Sequence, residues 1–119
     1  MAWSFSGHTP VYLQIAQRIR AEIIRGTYPP KSQIPSVRQL ALTAAVNPNT
    51  VQHALTALET EGIIYSEGTA GRFVTDNTEL IDAARQEAAH QLVGEFVSRA
   101  AQLSISKDEL IEMIKEEDI

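Results

Sequence analysis

The stretch Ser36-Val37-Arg38-Gln39-Leu40-Ala41-Leu42-Thr43-Ala44-Ala45-Val46-Asn47-Pro48-Asn49-Thr50-Val51-Gln52-His53-Ala54-Leu55-Thr56-Ala57-Leu58-Glu59-Thr60-Glu61-Gly62 decides the architecture. Ser36 suits a helix N-cap, and Val37, Leu40 and Ala41 behind it predict a short helix from Ser36 to about Ala45. Asn47 then caps a second helix with Pro48 in its first turn, where the missing N–H costs no hydrogen bond. That helix turns Val51, Ala54, Leu55 and Leu58 to one side and stops at Gly62. Two helices joined this tightly make a helix-turn-helix, which holds the second helix proud so that its N-terminal face can enter a major groove. The face opposite the apolar residues carries Asn49, Gln52, His53 and Thr56. Asn and Gln amides can bond bidentately to adenine N6 and N7, each good pair discriminating by about 1–3 kcal/mol.

Upstream of this stretch, Tyr12, Ile15, Ile19 and Ile23 recur at helical spacing after an irregular lead-in, residues 1–9. Thr9 is expected to cap this first helix, with Pro10 in its first turn and Gly26 stopping it. Tyr28-Pro29-Pro30-Lys31-Ser32 must be a loop. Downstream, Ile63–Ser66 and Arg72–Thr75 read as two strands around the turn Glu67–Gly71. Three helices and a hairpin make a winged helix-turn-helix, placed at residues 10–75. Residues 76–119 read as a helical tail: one helix from 78 to about 103, then a short one opened by the capping box Ser106-Lys107-Asp108-Glu109. Ala89, Val93, Phe96, Ala100 and Leu103 step by fours and threes, the seam spacing of helices packed side by side, which predicts dimerisation. The expected fold class is mostly α with a small β-hairpin.

Charge divides the chain in the same place. The net charge of −5 over 119 residues hides a positive first part. Residues 1–74 carry Arg18, Arg20, Arg25, Lys31, Arg38 and Arg72 against Glu22, Glu59, Glu61 and Glu67, or +2; residues 75–119 carry four bases and eleven acids, or −7. A polyanion can approach the first part, while the tail repels it. With no cysteine, disulfides, thiolate zinc sites and Cys nucleophiles are excluded. His8, His53 and His90 lack metal-ligand spacing, no nucleophile elbow or phosphate loop is present, and so no catalytic residue, metal or cofactor is expected. No stretch reads as a membrane span or export signal, and the expected location is cytoplasmic.

Pro35-Ser36-Val37-Arg38-Gln39-Leu40-Ala41, Val46-Asn47-Pro48-Asn49-Thr50-Val51 and Leu58-Glu59-Thr60-Glu61-Gly62-Ile63-Ile64 resemble the signature of GntR-type transcriptional regulators. The wing Gly68-Thr69-Ala70-Gly71-Arg72-Phe73-Val74 and the opening Pro10-Val11-Tyr12-Leu13-Gln14-Ile15 resemble that family too, and the short tail resembles its YtrA subfamily, in which two helices dimerise in place of a ligand-binding domain. The resemblance implies that Ser36 caps its helix and offers backbone N–H groups to a phosphate, and that Arg38 reaches a phosphate or a guanine edge. By the same resemblance Asn47, Asn49, Thr50, Gln52 and His53 face the groove, and Gly68 and Thr69 form the wing tip, with Arg72 adding positive charge. One departure concerns His53, where the family often has Arg or Lys; residues 39–58 hold no cation. The recognition helix is therefore expected to read bases with neutral side chains.

The expected function is a homodimeric, sequence-specific regulator, a repressor, binding double-stranded DNA at an inverted repeat. The alternative is a winged-helix protein-interaction module that does not bind DNA, favoured by the overall acidity and the cation-free helix. A small-molecule effector of unknown identity could also sit between tail and DNA-binding part.

Overall fold

The computed structural model describes residues 2–119. Helix α1 (Val11–Arg25) buries Ile15, Ala16, Ile19 and Ile23, one face of its apolar repeat. It differs from expectation at its start. Pro10, not Thr9, occupies the N-cap, and no side chain caps the helix; the Thr9 carbonyl instead accepts from Gln14 Nε2 at 2.7 Å.

Helix α2 (Val37–Ala44) opens on a full capping box: Ser36 Oγ accepts from Gln39 N while Gln39 Oε1 accepts from Ser36 N. It ends on Ala45, which is left-handed at φ 58°. This conformation turns the chain sharply enough for Asn47 to start α3 (Pro48–Glu61) only three residues after α2 ends. Asn47 Oδ1 accepts from Asn49 N at 2.7 Å, and Gly62, at φ 83°, closes the helix by donating to the Leu58 and Glu59 carbonyls.

Strands β1 (Ile64–Ser66) and β2 (Arg72–Val74) pair antiparallel, Tyr65 opposite Phe73. A third segment joins them. Lys31 N donates to Val74 O, Val74 N to Ser32 O and Ile34 N to Arg72 O, with a bridge between Gln33 and Phe73. The loop after Pro30 therefore braces the wing instead of merely linking two helices. Helix α4 (Thr78–Gln102) and helix α5 (Lys107–Glu116) complete the chain, the second opened by the expected Ser106–Glu109 capping box.

Two compact units result, divided within α4 between Ala83 and Ala84. The first has its core where α1, α2, α3 and the hairpin meet: Ile15, Ile19, Val51, Leu55, Leu58, Ile63, Ile64 and Val74 are all essentially solvent-free. Burying each such side chain contributes about 1.5–3 kcal/mol of gross stabilisation. The second unit is poorer. Ala100 and Leu110 are its buried residues among those described, while Leu92, Val93, Phe96, Leu103, Ile111, Met113 and Ile114 remain exposed.

Candidate nucleic-acid interface

Because Val51, Ala54, Leu55 and Leu58 are fully buried, helical geometry pushes Asn49, Gln52, His53 and Thr56 to the outside, and all four are exposed. The polar face expected from sequence is thus assembled on one side of α3. Thr50, half-buried, lies towards α1 in a surface depression of about 410 Å³ shared with Val11, Tyr12, Asn49 and His53. Asn47 sits at the same end, but its Oδ1 is spent on the cap, leaving its amide NH₂ as the free donor.

Ser36 and Arg38 lie together at the start of α2. Ser36 Oγ is held in the capping box, so what this end offers an anion is the backbone N–H groups of the first turn, the positive end of the helix dipole, and the exposed Arg38 guanidinium. Gly68 and Thr69 are both exposed at the wing tip, Gly68 with φ 52°. The wing is fixed from below, where Gln33 Nε2 donates to Ala70 O at 2.7 Å. Gly71 is favoured there by its φ of 119°, a backbone conformation that side-chain-bearing residues rarely adopt.

The cations are less available than the sequence suggests. Arg72 reaches back to Glu59 of α3 in a half-buried ion pair, so its charge is compensated on the wing's inner side. Arg20 bridges to Glu61, Arg25 to Glu22 and Lys31 to Asp76. Arg18 lies over the Trp3 ring, 4.1 Å from its centroid, and Trp3 in turn leans on Phe5 at 6.5 Å. The lead-in is thereby laid along α1, held also by Gln14, which bonds to both backbone groups of Ser6. Among the described residues of the first unit, Arg38 is the cation with neither a carboxylate nor a ring beside it.

Sequence reasoning missed three residues that shape this surface. Tyr12 stacks on His53 with ring centroids 3.6 Å apart and planes 10° from parallel. Gln33 braces the wing, and Glu59 engages Arg72. None of the three carried a local signal, because each meets its partner across two elements of the fold. Away from this surface, Tyr28 has its phenol pushed above the usual pKa by burial and by the Glu22 carboxylate, with Arg18 opposing. No group of His, Asp or Glu among the described residues is arranged to hold a metal, and no described helix is long and apolar enough to cross a membrane.

A helix-turn-helix, a braced wing and a polar helix face invite comparison with known proteins. The model of the bacterial regulatory proteins of the gntR family matches residues 11–74. The HTH-type transcriptional repressor YtrA of Bacillus subtilis is 34% identical over 91% of this chain and 84% of its own. A GntR family transcriptional regulator from Listeria monocytogenes superposes over 96% of this chain and 100% of its own, with a TM-score of 0.87 and 35% identity. The AraR DNA-binding domain, solved in complex with operator ORX1, matches 60% of this chain and 93% of its own, with a TM-score of 0.57 and 28% identity. The chain therefore belongs to the GntR family, as a winged helix-turn-helix DNA-binding transcriptional regulator with a short helical tail.

Proposed function

We propose that the protein is a repressor that binds an inverted-repeat operator as a homodimer, each protomer placing α3 in one major groove. The observation that carries this reading is the exposed face Asn49, Gln52, His53 and Thr56, backed by four fully buried apolar residues on the same helix. Asn49 and Gln52 make the base contacts, suited to adenine. Arg38 and the first-turn N–H groups of α2 grip a phosphate, and the Gly68–Thr69 tip follows the adjacent minor groove or its backbone. Phosphate contacts set the register; the neutral face of α3 supplies the sequence preference.

Support for the dimer comes from the second unit. A helix pair that leaves Leu92, Phe96, Leu103, Met113 and Ile114 around an open groove of about 700 Å³ has too little apolar surface covered to stand alone. A second copy of α4 and α5 supplies the missing cover. In this arrangement Val93, Phe96 and Leu103 of the expected seam meet the partner, Ala89 lies at its edge, and Ala100 packs within its own chain, while Ile111 and Ile114 join from α5. Two protomers on a twofold axis then read half-sites about 10 bp, or a multiple of that, apart. The similar YtrA of Bacillus subtilis is a repressor, and blocking polymerase access at such a site is the simplest route to repression.

Selection of duplexes from a random pool by the purified protein tests this. A palindrome enriched in A·T-containing half-sites is expected; enrichment of no symmetric site would overturn the proposal.

A further inference from the structure

His53 stands on α3 where a flexible polar side chain would sweep a wide arc. It does not sweep freely here. One face of its ring is covered by Tyr12, the second residue of α1, at a centroid separation of 3.6 Å and an angle of 10°. Tyr12 itself is half-buried in the packing of α1 on α3, so the support is anchored in the core-forming layer. Neither ring nitrogen of His53 has a hydrogen-bond partner among the described residues, and the residue is exposed. Beside it, Asn49 and Thr50 line the same depression of about 410 Å³.

We infer that Tyr12 is a specificity-determining positioning residue, its ring holding His53 edge-outward so that the imidazole N–H reads one purine in each half-site. This rests on α3 entering the major groove. A neutral imidazole offers one N–H donor and one acceptor. A single donor suits N7, the acceptor that both adenine and guanine expose in the major groove and that pyrimidines lack. Ordering the ring before DNA arrives reduces the side-chain freedom lost on contact. The stack thus offsets the missing Arg or Lys with a preorganised N–H donor, and Tyr12 affects the base preference without touching the base.

Binding selection with the full-length protein and the variants Y12F, Y12L and H53A tests this. Y12F keeps a flat ring and is expected to retain the wild-type preference at every position. Y12L and H53A should lose the purine preference at one and the same position per half-site, with a roughly fivefold fall in affinity per half-site. All other positions should stay as selective as before. A second readout needs no DNA: His53 ring protons in the wild-type NMR spectrum should be displaced by the Tyr12 ring current, and should move to ordinary positions in Y12L. Uniform weakening of Y12L across all positions, or an unchanged purine preference in H53A while N49A loses its own, would overturn the inference alone. Failure of the wild type to enrich any site would overturn the groove reading along with it.

Discussion

Replacing Arg38 by Ala should flatten the salt dependence of operator binding by a calculable amount. In the first unit Arg20, Arg25, Lys31 and Arg72 each lie within 4.0 Å of a carboxylate, and Arg18 rests on Trp3. Arg38 is left as the cation with nothing to give up when a phosphate approaches. Each neutralised phosphate contributes about 0.9 to the slope of log K against log salt, so a dimer loses about 1.8 on losing both Arg38 side chains. Between 50 and 200 mM salt, the advantage of wild type over R38A should therefore shrink by about twelvefold. Fluorescence anisotropy on the selected palindrome across that range measures it. Arg38→Lys should restore most of the slope, because a point charge serves a phosphate nearly as well as a guanidinium does. Parallel lines for wild type and R38A would refute the phosphate role. If those lines came with a loss confined to one guanine position, Arg38 would be a base reader instead.

Three further outcomes follow from the same geometry. Glu59→Gln should free Arg72 from its ion pair and steepen the salt slope by up to about 0.9 per protomer, at a stability cost below about 1 kcal/mol for a partly exposed pair, checked by anisotropy and urea unfolding. Ala45→Gly should stabilise the protein by about 1 kcal/mol in urea unfolding, since Ala45 holds a left-handed φ of 58° that glycine adopts freely. Phe96→Glu, at a residue 48% exposed in the isolated chain, should convert the sedimentation profile from dimer to monomer, and an unchanged profile would move the interface elsewhere.

How far the sequence alone carries depends on the distance over which each feature is encoded. Helix ends are written within four residues. Ser36 and Ser106 each draw a partner three positions on, Asn47 precedes Pro48, and Gly26 and Gly62 take the left-handed stops expected of them. The polar face of α3 was readable for the same reason, since helical period alone separates it from Val51, Ala54, Leu55 and Leu58. Thr9 fails as a cap because the backbone enters α1 with Pro10 extended, a choice coupled to Gln14 binding the lead-in. What escaped were pairings across the fold: Tyr12 with His53, Gln33 with the wing, Arg20 with Glu61 and Arg72 with Glu59. No local pattern marks such pairs, because only the packing of α1 and the hairpin against α3 decides which side chains meet. They matter most for charge. Counting residues gives the first part a surplus that could spread over its surface, whereas the fold cancels most cations locally and concentrates the remainder at Arg38.

A crystal structure of the full chain on its selected duplex would test the reading of α3 most directly. The Asn49 and Gln52 amides should lie within about 2.7–3.2 Å of base-edge atoms in the major groove, with one α3 in each half-site. DNA held along another surface, with Asn49 and Gln52 facing solvent, would contradict it.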